Sequence, residues 1–213
     1  MALGMVWKYD RQVVNALTSR SSSRAWLLPA ARSLAALLPG LGVVFVQDHS
    51  MPVGFTIATV FFFGTAVAMF ALAQQSGDAR MRFLLLGSVH GLAAIAAFAA
   101  LLVSPQEVVF FALIALWAFA TAAVEFSATK LVNADDAMRL TRDWRTVAIG
   151  TGLFGLLMAF SPVLGIADAV SLTGLFGAYA AIVGVYHAIA AASAAFGTRV
   201  TGEATAKGLE SES

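Results

Sequence analysis

The sequence predicts an all-α polytopic membrane protein of six transmembrane helices, arranged as three repeated antiparallel hairpins. Three observations carry that prediction. Of the 213 residues, 60% are apolar and only 12% are charged, which excludes an ordinary soluble domain. The apolar residues gather in six stretches, 25–46, 52–73, 83–103, 108–129, 146–166 and 170–196. Each is about 20–27 residues long, enough at roughly 1.5 Å per residue to cross a hydrocarbon core of about 30 Å. The cations are sorted as well: Lys8, Arg11, Arg20 and Arg24 precede the first stretch, and Arg80 and Arg82 separate the second from the third. Lys130, Arg139, Arg142 and Arg145 separate the fourth from the fifth, and Arg199 and Lys207 follow the last. The remaining gaps, 47–51, 104–107 and 167–169, hold Asp48, Glu107 and Asp168 and no cation. Basic loops stay on the cytoplasmic side, so both termini are expected inside an inner (plasma) membrane.

Taken in order, residues 1–24 form a cytoplasmic segment. Val6, Tyr9, Val13 and Leu17 recur at helical spacing among Lys8, Arg11 and Gln12. This suits either a short amphipathic helix lying on the inner leaflet, with Trp7 at the headgroups, or a basic tail. With no apolar core before a small-residue cleavage site, no removable signal peptide is expected. The transmembrane domain covers 25–197. Its first helix contains Pro29 and Pro39, which predicts a kink near one of them. The gaps at 47–51, 104–107 and 167–169 are short, so helices one and two, three and four, and five and six are expected as tight hairpins. Residues 130–145 make the one substantial loop, and 198–213 a polar, disordered tail.

Alanine and glycine fill these helices. Lipid is as apolar as leucine, so small residues that let backbones approach are what gains contact in a bilayer. Gly177, Gly184 and Ala191 form a seven-residue row in the last helix, next to Gly174; Ala115 and Ala122 share that spacing in the fourth. These six residues are the expected packing seam. Such faces could also pair between chains, so a homo-oligomer or a membrane-protein partner is compatible with them. The lipid bilayer is the one partner the composition demands. No nucleic-acid partner is expected, because topology already accounts for the cations.

The even helices can be laid over one another. Phe-Gly-Thr-Ala at 63–66, Ile-Ala-Leu-Trp-Ala at 114–118 and Phe-Gly-Ala-Tyr-Ala at 176–180 share one register, with Gln74, Glu125 and His187 ten residues after the central small residue. The odd helices match more loosely, through Arg32-Ser33 and His90-Gly91. An internal repeat about an axis along the membrane normal follows.

Leu-Trp-Ala-Phe-Ala-Thr-Ala-Ala-Val-Glu at 116–125 resembles the Ile-Trp-Ala-(x)3-Gly-(x)2-Glu signature of the HdeD-like acid-resistance membrane proteins. His90-Gly91, where that family often has Glu-Gly, and Gly-Ala-Tyr-Ala at 177–180 extend the resemblance over about residues 24–197. Ala122, Ser33 and His90 depart from the family pattern. The resemblance implies an inner-membrane protein linked to survival in acid.

Four ionisable residues fall inside the spans: Arg32, His90, Glu125 and His187. All lie in the cytoplasmic half by count. A charge at a helix centre costs roughly 2.5–3.5 kcal/mol on insertion scales, so these groups are expected to face the bundle interior and find partners. One reading is a cluster that exchanges protons as cytoplasmic pH falls, since histidine titrates near neutrality. The other is a Glu125–Arg32 ion pair with histidines hydrogen-bonded across helices, fixing the packing. Arg32 could also snorkel to the headgroups. Asp48, His49, Glu107 and Asp168 form a sparse acidic outer rim.

Cysteine is absent, which removes disulfides, thiol nucleophiles and thiolate metal sites. No His-Glu-x-x-His motif, nucleophile–base pairing or phosphate loop stands out, and three scattered histidines do not make a metal site. The expectation is therefore a non-enzymatic membrane protein without cofactor or metal, of the HdeD-like type, acting in acid or envelope stress. A small proton-linked transporter or channel, and an accessory subunit of a larger membrane complex, are the alternatives.

Overall fold

The structure is a computed structural model that describes residues 26–74, 80–128 and 137–210. The residue 1–24 segment and the first part of the 130–145 loop, residues 130–136, lie outside the described residues. Among the described residues there are six helices: α1 (Leu27–Phe45), α2 (Met51–Ala73), α3 (Arg80–Val103), α4 (Glu107–Ala128), α5 (Ala137–Phe160) and α6 (Ala169–Glu210). Among the described residues there is no strand.

Among the described residues, four helical segments are long and apolar enough to cross a membrane: Met51–Ala73, Arg80–Val103, Glu107–Ser127 and Ala169–Phe196. The apolar parts of the other two are shorter, Pro29–Phe45 and Trp144–Phe160. Two boundaries differ from expectation. The loop expected over 130–145 is helical from Ala137, and the tail expected to be disordered from Thr198 continues α6 to Glu210. The reason is common to both: an existing helix propagates at about one hydrogen bond per residue fixed, and Ala137, Met138 and Leu140, like Glu203, Ala204, Ala206 and Lys207, are good helix formers.

Local chemistry explains the turns. Pro29 sits in the first turn of α1, where its missing N–H costs nothing, whereas Pro39 lies inside the helix. Asp48 accepts hydrogen bonds from the Ser50 backbone N–H (2.9 Å) and hydroxyl (3.0 Å) at the start of α2, and Pro52 follows in its first turn. Asp168 does the same for α6, accepting from the Ser171 N–H (3.0 Å) and hydroxyl (2.6 Å). The Ser161-Pro162 turn closes with Gly165 at φ 70°, a left-handed position open to glycine without strain.

Those Ser171 bonds, side chain first and backbone second, hold the Asp168 carboxyl below the ordinary aspartate value. Its contribution to stability is thus present above the unfolded value of about 3.9 and lost as pH falls through the folded value. Asp168→Ala is expected to lower the thermal midpoint at neutral pH. The gap between variant and wild type should close on acidification below about pH 4. A gap that persists at pH 2–3 would mean that the carboxylate is not the cap.

The helices do not pair as their loops suggest. The closest packing joins α2 to α3, α1 to α6 and α4 to α5; α1–α2 and α3–α4 come next, while α5 and α6 meet only over a short stretch that holds Thr151, Phe154 and Tyr179. The tight five–six hairpin expected from the short gap is thus the least extensive packing between sequential helices, and the reason is steric. α1 and α6 approach at glycines: a Cβ on Gly40 would lie 2.6 Å from the Ala181 backbone nitrogen, one on Gly177 2.6 Å from Val43, and one on Gly184 2.7 Å from Leu37. No comparable approach joins α5 to α6. Gly174, expected in the same seam, faces open space. Ala191 is buried, and Ala115 sits in the main core. Ala122 meets α5 at Gly152.

α2, α4 and α6 touch one another at the centre of the bundle. Their buried residues keep one spacing: Phe62, Thr65, Ala66 and Ala73 in α2; Ile114, Trp117, Ala118 and Glu125 in α4; Phe176, Tyr179, Ala180 and His187 in α6. The α2 register differs by one residue from that expected, since Phe63 is 63% exposed where Ile114 and Phe176 are buried. Ala73, not Gln74, therefore corresponds to Glu125 and His187. The outer helices keep a spacing of their own, Ser33 with Ala36, His90 with Ala93, and Thr151 with Phe154.

Candidate functional site

On α4, Trp117, Thr121 and Glu125 fall at i, i+4 and i+8, so the helix presents all three on one face. Tyr179, Val183 and His187 repeat the spacing on α6. Packing the two faces together with α1, α2, α3 and α5 leaves a cavity of about 20 Å³. Arg32, His90, Glu125 and His187, the four ionisable residues of the spans, all line it.

Glu125 is fully buried, and its Oε1 accepts a hydrogen bond from the Arg32 guanidinium in an ion pair between α1 and α4. The Arg32 side chain is 10% exposed and its guanidinium lies 5.7 Å from the centre of the Trp144 ring, a cation–π contact that holds the other side of the group. Arg32 is therefore turned inward to partners rather than extended alone towards a surface.

The histidines do not bridge helices. His90 Nδ1 donates to the Leu86 carbonyl of its own helix at 2.9 Å, which leaves Nε2 as the acceptor of the neutral ring. His187 Nε2 has no partner among the described residues, and neither do Glu125 Oε2, Trp117 Nε1 and Thr121 Oγ1. Thr151 and Tyr179 hydrogen-bond to each other through their hydroxyls at 2.8 Å, tying α5 to α6.

Toward the Asp48 and Asp168 ends of the helices the axis is filled by rings. Phe62 lies 4.8 Å from Trp117, Phe61 5.4 Å from Phe176, and Phe55 5.1 Å from Phe110. Tyr179 stacks on Phe154 at 4.2 Å. Such pairs add about 0.5–1.5 kcal/mol each beyond the area they bury. A smaller apolar cluster of Met69, Ala73, Phe83 and Leu86 forms a separate part of the core. The polar cavity is thus a local pocket in an apolar bundle, closed on one side by aromatic packing.

Sequence reading missed Thr65, Trp117, Thr121, Thr151 and Tyr179 as parts of this wall. The i, i+4, i+8 row ending at Glu125 was the signal available for two of them. Among the rim residues, Asp48 and Asp168 serve the turns that start α2 and α6. No grouping of three or more histidine, aspartate and glutamate side chains suited to a metal occurs among the described residues.

Fold and site together define a class: among the described residues, an all-helical protein with four helices able to cross a membrane, and a buried cluster to which three of them give His90, Glu125 and His187 and the shorter α1 gives Arg32. Comparison with family models, curated proteins and solved structures returned no match. The likeness to the HdeD-like proteins therefore rests on the 116–125 motif and its companions alone.

Proposed function

We propose that the chain is a six-span inner-membrane protein with both termini cytoplasmic, built from three related hairpins, whose buried polar cluster responds to protons in acid or envelope stress. The observation that carries this is the convergence of Arg32, His90, Glu125 and His187, from four helices, on one cavity in an otherwise apolar bundle. Ionisable groups at such depth are costly and are kept where they serve a pathway or switch. The six spans draw support from α1 packing along α6 and α5 along α4: a shorter apolar helix held against a spanning neighbour is carried into the bilayer with it. The shared burial spacing of the even helices supports the repeat.

The proton-linked transporter needs a path to both sides, and the aromatic packing beyond Trp117 and Tyr179 speaks against one. A responsive element that communicates with one side fits better, as does a role without enzymatic chemistry. Glu125→Gln keeps the size of the side chain and removes its charge. It is expected to assemble in the membrane yet fail to restore acid survival to cells lacking the protein. Full survival with the Gln variant would sink the reading. A Glu125-dependent proton flux in proteoliposomes would move the assignment to the transporter.

A further inference from the structure

We propose that the cavity between α4 and α6 is a hydration site, holding water that bridges the Glu125 carboxyl to the His187 imidazole. The inference deepens the reading of the cluster as the proton-responsive element and rests on it for its consequence. Its basis is the distribution of unpartnered polar atoms. Five buried side-chain polar atoms have no hydrogen-bond partner among the described residues, and four of them, Trp117 Nε1, Thr121 Oγ1, Glu125 Oε2 and His187 Nε2, belong to residues lining this one cavity. Buried polar groups in folded proteins are overwhelmingly hydrogen-bonded, and an orphaned group costs about 1–3 kcal/mol. Four gathered at one space therefore point to an occupant.

Chemistry and size select it. Trp117 Nε1 only donates, Glu125 Oε2 accepts when ionised, the Thr121 hydroxyl does both, and His187 Nε2 does either according to tautomer. Water, with two donors and two acceptors, satisfies such a mixed set; a purely accepting or purely donating ligand does not. About 20 Å³ is enough for water and too small for an organic solute. The local charge selects neutrality too: a cation meets Arg32 and an anion meets Glu125.

Bridging water links two ionisable groups on different helices. When acid has protonated His187 to the imidazolium and Glu125 is still a carboxylate, a proton leaving His187 Nε2 for the water, as the water passes one to Glu125 Oε2, yields neutral imidazole and a carboxylic acid and regenerates the water. Glu125 then no longer offers a charge to Arg32, and α1 loses its ionic tie to α4. The groups facing this exchange are Arg32 from α1, His90 from α3 and Tyr179 from α6, while α2 and α5 contribute the neutral Thr65 and Thr151.

The test is magnetisation transfer from water to tryptophan indole protons in the full chain, reconstituted in lipid with 15N-labelled tryptophan. Trp7, Trp26, Trp117 and Trp144 are the four sites, and Trp117→Phe assigns the resonance of interest. Transfer from water to the Trp117 indole is expected, despite its burial, together with the transfer seen at exposed Trp26. Thr121→Val should weaken the Trp117 transfer several-fold and leave Trp26 unchanged. Absence of transfer at Trp117 alongside transfer at Trp26 would show a dry cavity and overturn the proposal. The wild-type protein suffices for that decision, so it does not depend on a variant folding. A dry cavity would leave the acid-survival result with Glu125→Gln standing by itself, so the two readings fail separately.

Discussion

Arg32→Ala is expected to destabilise the folded protein by about 3–5 kcal/mol, the usual consequence of leaving a buried charge without its partner. Glu125 is fully buried and Arg32 is its ion-pair partner. Removing Arg32 also takes the cation from the face of Trp144, a smaller loss of about 0.5–2 kcal/mol. Replacing both charged residues with apolar ones of similar size, Arg32→Met with Glu125→Leu, should recover most of the loss, because the attraction of a buried pair roughly offsets its desolvation. The measurement is a double-mutant cycle on unfolding in mild detergent or lipid. A single-variant loss under about 1 kcal/mol would mean that Arg32 acts as an interfacial, snorkelling residue and that the pair does not hold α1 against α4.

Gly40→Val should be the most damaging apolar substitution in the α1–α6 interface, with a loss of about 2–3 kcal/mol or more. Even the first added carbon at Gly40 would stand 2.6 Å from the Ala181 nitrogen and 3.0 Å from its Cα, and backbone cannot rotate aside. Gly184→Val should follow closely, since its Cβ meets the Leu37 backbone nitrogen at 2.8 Å as well as the side chain. Gly174→Ala is the control. Nothing lies within 4 Å of its Cβ position, so the variant should match or exceed wild type by up to about 1 kcal/mol through helix propensity. Thermal midpoints of the purified variants decide this. A Gly40→Val midpoint equal to that of Gly174→Ala would show that close packing does not govern the seam.

The contrast between Gly174 and Gly184 shows how far a sequence row can be read. Both belong to a run of small residues on α6, and spacing alone treats them alike. Gly184 meets α1 and Gly174 meets nothing, because the crossing of two helices brings backbones together over a limited length. The one-residue shift in α2 has a similar origin. Phe61, Phe62 and Phe63 are equivalent as composition, and only the neighbours on α4 and α6 put Phe61 and Phe62 inside and leave Phe63 out.

Hydropathy, length and the placement of charged residues are properties of consecutive residues. They were enough to predict six apolar helices and their approximate limits, and to single out Arg32, His90, Glu125 and His187 as groups that must turn inward. Each of those inferences needs only the cost of exposing a polar group to an apolar medium, which acts residue by residue. Which helices pair and which wall residues complete the cavity depend on side chains far apart in the chain, such as Thr151 with Tyr179 and Arg32 with Glu125, 28 and 93 positions apart. Those matches come from steric fit and hydrogen-bond geometry between helices, which no local pattern encodes, and only the tertiary structure decided them.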